Sequence, residues 1–166
     1  MSAGLGGPGY VDANKGGITG GSYGGFMALM ALAKAPDAFA AGVQSYGIIN
    51  WHTMWQTADP LLREYLFSLM GDPAQVKGAY DAASPMTYIA AIKAPLLSLQ
   101  GDNDIRVPRG QAKEVVSVLK AKGHTNETIF YPAEGHGFQK RENQIDSMRR
   151  TVAWFERHLK GGTAGK

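Results

Sequence analysis

The chain has 166 residues, 44% of them hydrophobic and 19% charged, which is typical of a single globular domain. Its net charge of +3 is too small and too evenly spread to indicate a nucleic-acid partner. There is no Cys, so thiol catalysis, disulfides and Cys-based zinc sites are excluded. The sequence contains neither a run of about 18 apolar residues nor a secretory signal pattern, so we expect a cytoplasmic protein that does not insert into a membrane.

Four short segments have the composition of β-strands, because they are apolar or β-branched and are bounded by Gly or Pro. They are residues 17–20, 42–47, 96–100 and 127–131. Helical spacing of apolar residues follows Ser22, and Pro108 opens a second helical pattern that ends at Gly123. Strands that alternate with helices predict an α/β fold with a parallel sheet flanked by helices.

The rest of the chain is less regular. Residues 48–90 show only two helical patches, near 61–70 and 74–80. The last helix is strongly amphipathic, and we expect one face to be apolar, formed by Ile145, Met148, Val152, Phe155 and Leu159. Residues 1–9 are predicted to be a flexible lead and residues 161–166 a disordered tail.

Glycine is unusually frequent, at 22 residues, and three functional motifs contain glycine clusters. A Walker phosphate loop is absent. The spelling of a dinucleotide-binding motif occurs at residues 4–9, but no strand precedes it and Pro8 interrupts it. The third motif, Gly-x-Ser-x-Gly, occurs at residues 20–24 between a predicted strand and a predicted helix, as a nucleophile elbow requires. This context favours Ser22 as a nucleophile over a glycine turn with an idle serine.

A nucleophilic serine needs a base and an acid, which in this fold class follow it in the order acid, histidine. Asp102 and Asp104 both lie just after the strand at 96–100; Asp104 is preferred, since Asp102 has the alternative of fixing the turn. His136 lies between two glycines just after the strand at 127–131. The other histidines are expected to have ordinary surface or packing roles: His52, His124 and His158.

Four motifs in order resemble the catalytic domain of the prolyl oligopeptidase family of serine peptidases, especially its acylaminoacyl-peptidase and dipeptidyl-peptidase-like branch. They are Gly9-Tyr10-Val11-Asp12, Gly20-Gly21-Ser22-Tyr23-Gly24-Gly25, Asp104-x-Arg106-Val107-Pro108 and Glu134-Gly135-His136-Gly137-Phe138. The resemblance implies an α/β-hydrolase fold and a triad of Ser22, Asp104 and His136. It also implies that the backbone N–H of Tyr23 donates to the oxyanion.

The chain also departs from the family's pattern, because the first strands of the hydrolase sheet and the loop that supplies a second oxyanion donor have no counterpart. We therefore expect residues 10–160 to form a truncated, partial α/β-hydrolase catalytic domain. One missing oxyanion donor typically costs about 10²–10³ in kcat. The expected activity is a serine hydrolase that works through an acyl-enzyme and favours small esters over peptides. The alternative is a non-catalytic fragment that serves as an assembly or binding module.

The sequence allows two roles for each candidate substrate contact. Val107, Trp51 and Trp55 either line an acyl pocket or pack in the core, and Arg106 either meets a substrate carbonyl or pairs with a carboxylate. No metal or cofactor is implied, because no cluster has ligand spacing. The strand at residues 18–19 is expected at an exposed sheet edge, which favours a homo-oligomer.

Overall fold

The computed structural model describes residues 12–160, so the predicted lead at 1–9 and the predicted tail at 161–166 lie outside the described residues. The chain forms a four-stranded parallel sheet whose spatial order is the sequence order. The strands are β1 (Gly17–Gly21), β2 (Ala41–Ser45), β3 (Leu96–Gly101) and β4 (Asn126–Tyr131). The predicted α/β class and parallel sheet are confirmed.

Within the described residues, six α-helices connect and flank the strands. They are α1 (Tyr23–Lys34), α2 (Trp51–Thr57), α3 (Pro60–Met70), α4 (Lys77–Ala83), α5 (Gly110–Ala121) and α6 (Arg141–Leu159). The sequence did not predict α2, which begins after Asn50; the Asn50 side chain accepts hydrogen bonds from the N–H groups of His52 and Thr53 at 3.0 and 3.5 Å. None of the helices between residues 12 and 160 is long and apolar enough to cross a membrane.

The core has a layer on each face of the sheet. Leu96 packs with Leu29 of α1 and Val115 of α5 on one face. Its neighbour Leu97 faces the other side and packs with Trp154 of α6. All six residues of β3 are buried, as expected for a central parallel strand that is covered on both faces.

The apolar stripe of α6 does not pack as its spacing suggested. Phe155 and Leu159 contact the core, but Met148 and Val152 are 70% and 57% exposed. Ile145, the third stripe residue that does not pack in the core, is 39% exposed. The helix turns its Trp154 face to the sheet instead, so part of the predicted apolar face is exposed.

Polar contacts to β4 account for this rotation of α6. The hydroxyl of Tyr131 donates to Asp146 at 2.8 Å, and Arg150 lies 3.7 Å from Glu127. With Asp146 and Arg150 held against β4, the helical spacing puts Met148 and Val152 on the opposite side of α6. A Cβ placed on Gly17 of β1 would come within 2.6 Å of the Phe155 ring, so the far end of the same stripe does reach the start of β1.

Candidate active site

Ser22 lies at the junction of β1 and α1, in the turn that the glycine motif predicted. Its backbone has φ 56° and ψ −121°, a region that non-glycine residues rarely adopt. Its N–H donates to the carbonyl of Ser45 at 2.9 Å, and its carbonyl accepts from the N–H of Phe26 at 3.0 Å. The neighbouring strand and the first turn of α1 thus hold this strained residue at the carboxyl end of β1.

Two of the surrounding glycines are required by close backbone approach. A Cβ on Gly20 would lie 2.3 Å from the carbonyl oxygen of Gly24, and a Cβ on Gly25 would lie 2.9 Å from the Cα of Gly47. A Cβ on Gly24, in contrast, would meet no atom within 4 Å. The tight turn around Ser22 therefore depends on Gly20 and Gly25 rather than on every glycine of the motif.

The structure brings Ser22, Asp104 and His136 together in one hydrogen-bonded chain. His136 Nε2 lies 2.7 Å from Ser22 Oγ, and His136 Nδ1 lies 2.9 Å from Asp104 Oδ2. With the proton on Nδ1 donated to the carboxylate, Nε2 is free to accept the serine proton. Asp102 takes no part in this chain, since its carboxylate lies 2.9 Å from the guanidinium of Arg109.

Asp104 is held by a dense set of donors although its side chain is fully buried. Its Oδ1 accepts the N–H groups of Arg106 and Val107 at 2.9 and 2.8 Å. Its Oδ2 also accepts from the side-chain amide of Gln100 at 3.3 Å. These donors offset the cost of burying a carboxylate and fix the oxygen that faces His136. Gln100 was missed by the sequence analysis because it looks like an ordinary strand residue.

Tyr46 is a second neighbour of the site that sequence reasoning missed. It directly follows β2, has a positive φ of 41°, and its N–H donates to the carbonyl of Leu99 at 2.8 Å. Its ring packs edge-on to His136, with the ring centroids 5.0 Å apart. Its position directly after a predicted strand could have indicated this, since the carboxyl ends of neighbouring parallel strands meet at one edge of the sheet.

Tyr23 is the first residue of α1, directly after Ser22. The first N–H groups of a helix have no acceptor within the helix, and the helix dipole makes this end favourable for negative charge. The Tyr23 ring is 59% exposed and leans on Phe26, with centroids 5.0 Å apart. The backbone N–H of Tyr23 is therefore suited to stabilise an oxyanion formed next to Ser22.

The four predicted substrate contacts occupy different environments. Val107 and Trp51 are 1% and 5% exposed and belong to the same core cluster as Phe26, so their side chains pack in the core. Trp55 is half-buried against the ring of Tyr80. The fourth, Arg106, lines an open depression of about 550 Å³.

The depression at Arg106 is formed mainly by α3. Its other lining residues are Leu61, Leu62, Glu64, Tyr65 and Ser68. Between residues 12 and 160, no carboxylate forms an ion pair with the Arg106 guanidinium. The pairing with a carboxylate that the sequence left open is thus not seen in the described part of the chain.

The remaining histidines lie in packing or surface contacts. His52 pairs with Asp81 at 2.8 Å. Burial lowers the pKa of His124, and burial together with Arg157 lowers the pKa of His158. In the described range 12–160, no three His, Asp or Glu residues are arranged to hold a metal ion.

Comparisons with known proteins identify the family. The model of the prolyl oligopeptidase family matches residues 5–162. Dipeptidyl aminopeptidase BIII of Pseudoxanthomonas mexicana is 40% identical over 131 residues, which is 76% of this chain and 19% of the relative. The acylamino-acid-releasing enzyme of Mus musculus is 30% identical over 161 residues, covering 90% of this chain and 21% of the relative. The chain thus spans about one fifth of the length of these curated relatives.

Solved structures give the same result. The acylaminoacyl peptidase of Pyrococcus horikoshii superposes with a TM-score of 0.83 at 31% identity, covering 94% of this chain and 26% of that chain. A puromycin-hydrolyzing peptidase of Mycobacterium tuberculosis superposes with a TM-score of 0.88 at 28% identity, covering 95% of this chain and 24% of that chain. From the sequence motifs, the fold and the family match over nearly its whole length, the chain belongs to the prolyl oligopeptidase family.

Proposed function

We propose that this chain carries serine hydrolase activity on ester or peptide bonds, with Ser22 as nucleophile, His136 as general base and Asp104 as the acid that orients the base. The observation that carries the proposal is the continuous chain of contacts, 2.7 Å from Ser22 Oγ to His136 Nε2 and 2.9 Å from His136 Nδ1 to Asp104 Oδ2. Membership in a family of serine peptidases supports it.

The reaction proceeds in two acyl-transfer steps. Ser22 Oγ attacks the substrate carbonyl carbon while its proton passes to His136 Nε2, and Asp104 stabilises the imidazolium that forms. The N–H of Tyr23 donates to the oxyanion. His136 then protonates the leaving alcohol or amine as the bond to it breaks. Water attacks the acyl-enzyme, again with His136 as base, which releases the acid and restores Ser22.

The depression beside Arg106 suggests the substrate class. Leu61, Leu62 and Tyr65 offer apolar surface to an acyl group or an apolar side chain, and the Arg106 guanidinium is available to a carbonyl or carboxylate oxygen of the substrate. We propose that activated small esters turn over faster than amides, because amides have the poorer leaving group. The names of the relatives, an aminopeptidase and an acylamino-acid-releasing enzyme, favour peptides as the second class.

A fluorophosphonate probe and a paired substrate series test this function. The wild type is expected to be labelled and to hydrolyse p-nitrophenyl esters of increasing chain length, with slower turnover of the matching p-nitroanilides. Ser22→Ala is expected to lose both labelling and turnover. The control is Ser147→Ala, which alters a half-buried serine of α6 whose hydroxyl donates to the carbonyl of Gln144; it is expected to behave as wild type. If folded wild type is not labelled, the proposal fails and a non-catalytic binding module is the better interpretation.

We also propose that a second copy of the chain pairs at β1. Within residues 12–160, β1 is bonded only to β2, and Met148 and Val152 of α6 are exposed. A two-fold axis perpendicular to the sheet would pair the two β1 strands and bring the two α6 stripes together on one face. Light scattering at micromolar concentration is expected to give about twice 17.8 kDa for wild type and a lower mass for Val152→Glu. A monomer mass for wild type would exclude this pairing.

A further inference from the structure

Glu134 is a buried carboxylate that the reaction does not use, two residues before His136. It is 1% exposed, and both of its oxygens accept hydrogen bonds from the other end of the same loop. Oε2 accepts the N–H of Gln139 at 2.8 Å. Oε1 accepts the N–H of Lys140 at 3.0 Å and the side-chain amide of Asn143 at 2.7 Å. The carboxylate thus closes the loop that carries His136 and fastens it to the first turn of α6.

The main chain of Glu134 is equally constrained. Its carbonyl accepts the N–H of Asn103 at 2.9 Å, in the loop that carries Asp104. A Cβ on Gly101 would lie 2.6 Å from the same carbonyl oxygen, so the two loops are in backbone contact. Ala133, the residue before, has φ 59°, a conformation that persists only where the surroundings hold it. One residue therefore joins the acid loop, the histidine loop and α6.

We propose that Glu134 is a positioning residue for His136, whose carboxylate fixes the loop so that the imidazole stays in contact with both Ser22 and Asp104. It does not touch substrate. This inference deepens the proposed function, and its catalytic readout rests on that function.

The charge state of Glu134 fits this role. Burial raises the pKa of Glu134, but the hydrogen bonds from Gln139, Asn143 and Lys140 outweigh that effect and the pKa lies below its ordinary value. An ionised carboxylate is an acceptor only, which matches its three N–H donors. A glutamine in its place would direct its own NH₂ group at one of these donors, so Glu134→Gln keeps the shape and removes the match.

The test compares Glu134→Gln with Asp146→Asn. Asp146 lies on α6 and, like Glu134, is a carboxylate whose pKa lies below its ordinary value, mainly because of its hydrogen bond with Arg150. Unlike Glu134, it contacts Tyr131 of β4 rather than the histidine loop. For each variant kcat and KM are measured on a p-nitrophenyl ester. The low-field proton resonance of the His136 Nδ1–H bonded to Asp104 is recorded by NMR without substrate, and the midpoint of thermal unfolding is recorded alongside.

Glu134→Gln is expected to lower kcat by about 10–100-fold with little change in KM, and to lose or shift the low-field resonance, because small displacements of a catalytic group have costs of this size. Asp146→Asn is expected to keep kcat and the resonance even if its unfolding midpoint falls as far. The proposal is overturned if Glu134→Gln keeps both readouts, or if Asp146→Asn loses both at equal destabilisation.

A second variant and the substrate-free resonance keep the test decisive. If Glu134→Gln does not fold, Asn143→Ala removes one of the three donors and is expected to show a smaller loss of the same kind; an unchanged resonance and kcat in that variant would count against the proposal. If the wild type shows the resonance but no turnover, the proposed function fails, while the change of the resonance in the variants still decides the role of Glu134.

Discussion

The carboxyl-end edge of the sheet and the flank formed by β1 and α6 are built in opposite ways. In the described residues 12–160, the non-glycine residues with positive φ are Ser22, Tyr46 and Ala133, and each follows the end of a strand at the site edge. The buried carboxylates of Asp104 and Glu134 lie at the same edge. The flank has regular backbone and an exposed apolar stripe instead.

This difference shows that the backbone strain of the described residues is concentrated at the site edge. Strained residues persist only when many contacts over-determine them, and they cluster at functional sites. At the site edge those contacts are local hydrogen bonds between neighbouring loops, such as Asn103 to Glu134, and with the first turn of α6, such as Asn143 to Glu134, rather than contacts with the exposed stripe. The geometry of Ser22, Asp104 and His136 should therefore tolerate changes in the exposed stripe of the flank and respond sharply to changes at the edge.

The largest expected effect is at the edge, in Asp104→Asn. The remaining Oδ1 can still accept from Arg106 and Val107, but the new NH₂ group faces His136 Nδ1 and favours the wrong imidazole tautomer. We expect kcat on an ester to fall about 10⁴-fold with little change in thermal stability. Asp102→Asn, which alters only the pair with Arg109, is the matched control and should keep kcat within about threefold. Equal losses in both would contradict the assignment of the acid.

The flank comes next, through two residues on opposite faces of α6. Trp154 is 4% exposed in the core, and Trp154→Ala is expected to lower the free energy of unfolding by about 3–5 kcal/mol. Val152 is 57% exposed in the single subunit, so at protein concentrations too low for pairing Val152→Ala should change the free energy of unfolding by no more than about 0.5 kcal/mol. Urea unfolding measures both. A large loss for Val152→Ala would mean that the stripe is covered in solution, which would support pairing at this flank.

The smallest effect is expected where the two regions meet, in the turn after β1. Gly20→Ala puts a methyl group against the backbone of Gly24 and should cost about 1–3 kcal/mol of stability, with loss of activity as the turn shifts. Gly24→Ala meets open space in the first turn of α1 and should be neutral or stabilising by up to about 1 kcal/mol. Chemical denaturation and ester hydrolysis of the two variants give the comparison. Similar losses in both would show that the turn is not limited by the Gly20 contact.

Much of this arrangement could be predicted from the sequence because it depends on order along the chain. Bounded apolar runs gave the four strands, and loops that directly follow parallel strands must meet at one edge, which brought Ser22, Asp104 and His136 into a single hypothesis. In the structure Asp104 contacts His136 at 2.9 Å, whereas Asp102 pairs with Arg109, and the role of Asp104 as the acid stays a prediction.

The rest depended on partners that sequence spacing does not reveal. The rotation of α6 is set by the hydrogen bond between Tyr131 and Asp146, so a good apolar stripe was left exposed. Helix α2 begins at a cap, Asn50, in a stretch without periodicity. In the sequence Gln100 looks like an ordinary strand residue. Its side-chain amide reaches Asp104 and the carbonyl of Val107 only because the loop after β3 folds back over the end of the strand.

The backbone contact between the acid and histidine loops has a consequence for how the site opens. The N–H of Asp102 donates to the carbonyl of Tyr131 at 3.0 Å, and the N–H of Asn103 donates to the carbonyl of Glu134 at 2.9 Å. The loop after β3 is therefore bonded to the end of β4 and to the loop that follows it. These two amide hydrogens should exchange with solvent as slowly as those inside the sheet. Thermal breathing of the molecule would then separate Ser22 from an intact Asp104–His136 pair before it breaks the pair itself.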